Sequence, residues 1–207
     1  MSQTVGELLV STLADIGATQ VFGVVGDALN PFTDALRRDK RMSWLGVRHE
    51  EGAALAATGQ AKLTGQLGVC AGTTGPGANH LLAGLYEARH DHAPVLAIAG
   101  DVPTSMDGID YLQAADHVST FRDACVYATS VTSPDAASAQ IHEAISGAYA
   151  MRGVALLNIP QNVFGAKTSK PALSQATSTT PRSRPRADRT SRSSVRTPAR
   201  ERPSSSA

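Results

Sequence analysis

The sequence predicts an α/β fold: three layers, α/β/α, around a mostly parallel six-stranded sheet, followed by a disordered tail. Three observations carry this. Short apolar runs alternate with helical periodicities about six times along the chain. The runs are continuous rather than alternating, as in strands covered on both faces. The apolar grammar then stops near Lys170, where Ser, Thr, Pro and Arg take over. The expected organisation is one domain over residues 1–168 and a Ser/Pro/Arg-rich tail over 169–207.

Thr4 to Ile16 places Val5, Leu8, Leu9, Leu13 and Ile16 on one helical face, and Gly17 ends it. Val21 to Val25 reads as a buried parallel strand that runs into Gly26-Asp27. Asn30-Pro31 opens a second helix, which carries Phe32 and Leu36. Trp44 to Val47 reads as a short buried strand, and a helix rich in small residues follows from Glu50 to Gly65. Gly68 to Ala71 is the next strand. It breaks into Gly72-Thr73-Thr74-Gly75-Pro76-Gly77, and a helix is expected over 79–87. Pro94 to Ala99 is a strand closed by Gly100-Asp101. Phe121 anchors a short helix within 118–125, Tyr127 to Val131 is a strand, Asp135 caps a long helix, and Val154 to Pro160 is the last strand. Right-handed crossovers bring Gly26-Asp27, Glu50, the Gly72–Gly77 loop and Gly100-Asp101 to one edge of the sheet. That edge is the expected ligand site.

The totals narrow the function classes. At 207 residues and 42% apolar content, the chain can bury one good-sized core. The net charge of +1 divides unevenly: eight arginines against Asp188 and Glu201 give residues 171–207 a charge of +6, which leaves −5 on the first 170. Cys70 and Cys125 are widely spaced and read as buried free thiols of a reducing compartment. No signal-peptide pattern opens the chain and no apolar run approaches a membrane span, so a cytoplasmic location is expected. The basic tail has charge for phosphate contacts but no aromatic residue for stacking, so no specific nucleic-acid partner is expected.

The chemistry-bearing stretch is Val47-Arg48-His49-Glu50-Glu51-Gly52-Ala53-Ala54. Two carboxylates stand at a helix start, where unpaired N–H groups favour negative charge. The helix behind them can approach a neighbour closely because its side chains are small. The Gly72–Gly77 loop lacks the Gly-Lys-Ser/Thr of a P-loop, and Phe22 to Asp27 lacks a dinucleotide-binding fingerprint. His49, His117 and His142 show no metal-ligand spacing, and no metal site is expected.

Read together, His-Glu-Glu-Gly-Ala-Ala and Gly-Thr-Thr-Gly-Pro-Gly-Ala-Asn-His resemble the pyrimidine-binding domain of thiamine-diphosphate-dependent enzymes. The wording is most similar to the pyruvate oxidase and quinone-linked pyruvate dehydrogenase branch, from Gln3 to about Pro160. The resemblance implies that Glu50 hydrogen-bonds N1′ of the cofactor's aminopyrimidine and favours the tautomer that activates C2 of the thiazolium. It implies that Val24, Gly26, Thr74, Gly75, Pro76 and Asn79 line the pyrimidine, and that His80 and His92 lie on the substrate side. Glu51 is left as a helix-end charge. The implied activity is decarboxylation of a 2-oxo acid, pyruvate first among them.

The same resemblance sets expectations about what else is needed. Family enzymes hold Mg²⁺ and the diphosphate through a Gly-Asp-Gly…Asn motif, and the oxidase branch binds FAD in a middle domain. No Gly-Asp-Gly occurs in this sequence. A truncated fragment is therefore expected, with negligible affinity for thiamine diphosphate and no turnover alone. Homodimeric or homotetrameric pairing is implied by the family. Two alternatives stand beside this: a separate half-enzyme subunit that pairs with a diphosphate-binding chain, and a polyanion-binding protein acting through the Arg-rich tail.

Overall fold

The computed structural model describes residues 2–173. The expected disordered tail, from residue 174 onward, lies outside the described residues. In chain order the elements are β1 (Gln3–Thr4), α1 (Val5–Asp15), β2 (Gln20–Gly23), a 3₁₀ turn (Asp27–Leu29), α2 (Asn30–Asp39), β3 (Ser43–Gly46) and α3 (Glu50–Thr64). They continue as β4 (Gly68–Gly72), α4 (Pro76–Asn79), α5 (Leu82–His90), β5 (Val95–Asp101), a 3₁₀ turn (Thr104–Met106) and α6 (His117–Phe121). The last are β6 (Cys125–Ser130), α7 (Ala137–Ala150), β7 (Val154–Pro160), α8 (Gln161–Gly165) and β8 (Lys167–Thr168).

The main sheet has six strands in the order β3-β2-β4-β5-β7-β6, all parallel. Helices α1, α2, α7 and α8 pack on one face around Leu8, Leu9, Phe32, Ile141 and Phe164. Helices α3 to α6 cover the other, around Ala53, Ala57, Leu81, Leu85 and Phe121. The three-layer α/β/α reading of the sequence holds.

Local chemistry explains the element ends. Thr4 and Glu7 form a capping box: the Glu7 N–H donates to Thr4 Oγ1 at 3.1 Å and the Thr4 N–H to Glu7 Oε2 at 2.8 Å. Pro31 sits in the first turn of α2, where its missing N–H costs nothing. Gly65 ends α3 with φ 74°, a conformation glycine adopts without strain. The small-residue face of α3 does press closely on its neighbours. A Cβ on Gly68 of β4 would lie 2.2 Å from the Ala57 carbonyl oxygen, and one on Gly84 of α5 would lie 2.6 Å from Ala54 Cβ.

Several expectations are corrected. β3 is the edge strand and largely exposed rather than buried, Leu45 included, because among the described residues β2 alone flanks it. The helix expected over 79–87 is two helices, α4 and α5, with a break at His80–Leu81. Asp135 does not cap α7: that helix begins after Ala136 with no side-chain cap. The short antiparallel pair of β1 with β8, and α8, carry too few residues to show a period. Past β8, the chain still rests on the body: the Ser138 hydroxyl donates to the Pro171 carbonyl, and Ala172 packs on the core.

Two predictions arise here. The Tyr149 hydroxyl accepts the Leu67 N–H at 2.9 Å, which ties α7 to the start of β4. Tyr149→Phe leaves that N–H without its partner and is expected to cost about 1–3 kcal/mol in urea unfolding; unchanged stability would contradict the tie. The second concerns the thiols. Burial raises Cys70, which is fully buried, and pushes Cys125 up to about 12 from 9.0. Above pH 9 the unfolded chain releases thiol protons that the native chain keeps. Stability is therefore full below that pH and falls as pH rises towards 12, by up to about 1.4 kcal/mol per pH unit for each thiol. Urea midpoints at pH 8 and 10 test this, and Cys125→Ala should flatten the slope.

Candidate functional site

The parallel sheet collects the C-terminal ends of its strands at one edge, as the crossovers require. Three segments meet there: residues 24–27 after β2, the start of α3 after β3, and the glycine loop after β4. Gly26 lies against Thr73 of that loop; a Cβ on Gly26 would come within 2.4 Å of the Thr73 side chain. Val24 is half-buried in the same segment.

Glu50 is the first residue of α3 and is only 7% exposed, whereas Glu51 beside it is exposed. The helix start explains both: its free N–H groups favour the acids, and the turn aims one inward and one outward. The Glu50 carboxylate meets His80 at the break between α4 and α5, with Oε2 3.0 Å from Nδ1. The His80 ring stacks on His49 with centroids 4.5 Å apart. His49 Nδ1 accepts the Glu51 N–H at 3.3 Å and so caps α3. His49, Glu50 and His80 thus offer donor atoms within 4.8 Å of one another, a grouping invisible in their sequence spacing. His49 Nδ1 and Glu50 Oε2 already have hydrogen-bond partners, so the cluster reads as a hydrogen-bonded acid with its histidine.

The other oxygen, Glu50 Oε1, faces the glycine loop. A Cβ on Gly77 would stand 3.3 Å from it and 2.7 Å from Thr73 Cγ2. Gly75 has φ 61° and ψ −117°, and a Cβ there would lie 2.4 Å from the Gln113 carbonyl oxygen. Thr74 is buried and Pro76 opens α4, which ends at Asn79. Asn79 Oδ1 is buried with no hydrogen-bond partner among the described residues, an acceptor left available beside this loop. Glycines at 75 and 77 thus let the loop backbone pack closely on Gln113 and Thr73, beside a buried carboxylate.

His92 does not belong to this edge. It precedes β5, whose first residue pairs with the first residues of β4 and β7, so it lies at the N-terminal end of the sheet. A seven-residue strand, about 20 Å, separates it from the Asp101 end. Its placement on the substrate side is thereby corrected. Sequence spacing passed over His117, which is fully buried at the start of α6 and accepts the Gly75 N–H on Nε2 at 3.0 Å. A polar residue opening a short helix after a loop was the only signal for it. A cavity of about 340 Å³ lies between the end of β5 and residues 106–116, bordered by Asp101 and Asp116 and apart from Glu50. Among the described residues no helix is long and apolar enough to cross a membrane.

Residues 3–120 match the family described as thiamine pyrophosphate enzyme, N-terminal TPP binding domain. The chain is 43% identical over 169 residues to the 42.6 kDa protein of the isoamylase 3′ region of Pseudomonas amyloderamosa, covering 81% of this chain and 43% of that protein. It is 41% identical over 158 residues to the pyruvate oxidase of Lactiplantibacillus plantarum, covering 75% of this chain and 26% of the oxidase. It is 36% identical over 168 residues to the acetolactate synthase large subunit of Corynebacterium glutamicum, with 79% and 26% covered. The chain thus spans less than half the length of each of these relatives.

Proposed function

The chain belongs to the thiamine pyrophosphate enzymes through their N-terminal TPP binding domain, and we propose that it supplies the pyrimidine-binding half of a thiamine diphosphate site used on a 2-oxo acid. Pyruvate is the proposed substrate, by similarity to the oxidase. The observation that carries the reading is the buried Glu50 carboxylate facing the glycine wall at Gly77. The residues fit an aminopyrimidine. Glu50 Oε1 is buried beside Gly77 and would supply the acid for a ring nitrogen, and Asn79 Oδ1, without a hydrogen-bond partner among the described residues, would supply an acceptor near the same loop.

Bound thiamine diphosphate supplies the electron sink that lets a 2-oxo acid lose carbon dioxide. The chain's own residues do the rest of the work assigned here. Glu50 shares a proton with the pyrimidine ring through Oε1. His80 holds Oε2 and so fixes the carboxylate's rotation. Val24, Gly26 and the Thr74-Gly75-Pro76 backbone wall the ring, and the alanine face of α3 keeps water from the carboxylate. Burial strengthens the contact that Glu50 makes, because little solvent competes for it.

In this reading the diphosphate, its Mg²⁺ and, in an oxidase, FAD are held by another segment or chain, and pairing with a second copy is part of the assembly. A chimera tests the function. Residues 3–160 of this chain replace the matching segment of the L. plantarum pyruvate oxidase, and release of carbon dioxide from pyruvate is measured. Activity within about a hundredfold of the parent is expected, a loss of no more than about 3 kcal/mol in the barrier. A chimera that assembles and binds the cofactor yet turns over nothing would contradict the proposal. Gly77→Ala in the active chimera should raise the cofactor concentration needed for half-activity by about tenfold, since the new methyl crowds Thr73 and Glu50. An unchanged requirement would remove Gly77 from the pocket wall.

A further inference from the structure

A buried polar chain ends on the glycine loop, at the Gly75 amide. Its direction is set at one end. The Gly75 backbone N–H can only donate, so His117 Nε2, 3.0 Å away, must accept and carries no proton. The ring proton then sits on Nδ1, which donates to Asn158 Oδ1 at 3.0 Å. That leaves the Asn158 amide group as donor, and Nδ2 gives one hydrogen bond to Asp101 Oδ2 at 2.6 Å and one to Ser130 Oγ at 2.9 Å. Asp101 Oδ1 is taken in turn by the Val102 N–H at 2.7 Å. His117 is fully buried and Asn158 is 3% exposed.

The chain gathers the ends of β5, β6 and β7 and delivers a single acceptor to one backbone amide. That amide belongs to Gly75, whose backbone conformation few other residues tolerate. The Gly75 carbonyl also accepts the Asn79 N–H at 3.0 Å, so the peptide is pinned before and after the residue. Every polar group of the chain has a partner, the condition under which a buried network rigidifies its surroundings.

We propose that His117 is the positioning residue of this site: as the neutral Nδ1–H tautomer it holds the Gly75 amide and, through it, the wall of the pocket opposite Glu50. His117 acts through the loop and does not itself touch a ligand. The consequence for pyrimidine binding rests on the thiamine reading above, whereas the hold on the loop stands on the geometry alone.

Nuclear magnetic resonance on the full chain tests it. In the wild type, nitrogen shifts of the His117 ring should report a proton on Nδ1 and none on Nε2; the opposite tautomer, or a ring protonated on both nitrogens at neutral pH, overturns the proposal. In His117→Phe, exchange of the Gly75 amide hydrogen should rise by about tenfold or more, the scale of one buried hydrogen bond. His117→Gln, which can accept from Gly75 and donate to Asn158, should restore most of the protection. Exchange at Gly75 indifferent to residue 117, with neighbouring core amides unchanged, overturns the proposal. Thiamine at millimolar concentration is the second probe in the same samples. Glu50 and Gly77 shifts that survive with an indifferent Gly75 defeat the positioning role alone. A His117-dependent Gly75 with no thiamine response in the wild type supports the positioning role and defeats the thiamine reading.

Discussion

Glu50→Gln is expected to lower decarboxylation by the chimera by about 10²–10⁴-fold, the range for loss of one positioned acid–base group. The amide keeps the size of the side chain and can still meet His80, so folding should be intact. What it loses is the ability to share a proton with a ring nitrogen at Oε1. Exchange of the C2 hydrogen of bound thiamine diphosphate should slow in parallel, measured by quenched-flow proton exchange. A variant that assembles, binds cofactor and exchanges that hydrogen at the parental rate would remove Glu50 from its role. Glu51→Gln, on the exposed side of the same helix turn, should change activity by less than about twofold, which separates the two neighbouring acids by position alone.

The largest expected effect on stability comes from Gly68→Ala. The added methyl would stand 2.2 Å from the Ala57 carbonyl oxygen and 3.2 Å from Ala57 Cα, both backbone atoms of α3. Neither can rotate away, so the helix must lift from β4. Overpacking of this kind costs about 1–3 kcal/mol, and the upper end is expected where backbone meets backbone. For a domain of this size the midpoint of thermal unfolding should fall by about 6–12 °C. Because α3 carries Glu50 at its first residue, the same shift should also weaken the site. Thermal unfolding followed by circular dichroism gives the answer; a midpoint within about 2 °C of the wild type would show that α3 and β4 are farther apart than described.

Much of the fold was legible because its signals are local. Continuous runs such as Pro94 to Ala99 and Val154 to Pro160 read as strands covered on both faces, and the strands formed there, Val95–Asp101 and Val154–Pro160, are fully or nearly fully buried. Gly and Asp at strand ends, with right-handed crossovers, sufficed to gather Glu50 and the glycine loop at one edge. Burial of β3 was misjudged because Trp44 and Leu45 look the same in an edge strand as in a central one; strand order decides, and strand order is not local. The break between α4 and α5 escaped notice because Leu81, Leu82 and Leu85 keep helical spacing across it. His92 failed for a related reason: proximity to a strand says nothing about which end of the sheet it occupies. The meeting of His80 with Glu50, 30 residues apart, and of His117 with Gly75, 42 apart, depends on tertiary placement. No spacing rule reaches that far.

The edge formed by residues 24–26, Glu50 and residues 72–80 is proposed as a pyrimidine pocket. The most direct measurement is a titration of the full chain with thiamine, following backbone amide shifts and using Mg²⁺ as a control. Weak binding is expected, at millimolar concentrations, indifferent to Mg²⁺, with shifts confined to that edge and abolished by Glu50→Gln. Shifts centred elsewhere, or tight binding that requires Mg²⁺, would contradict the account.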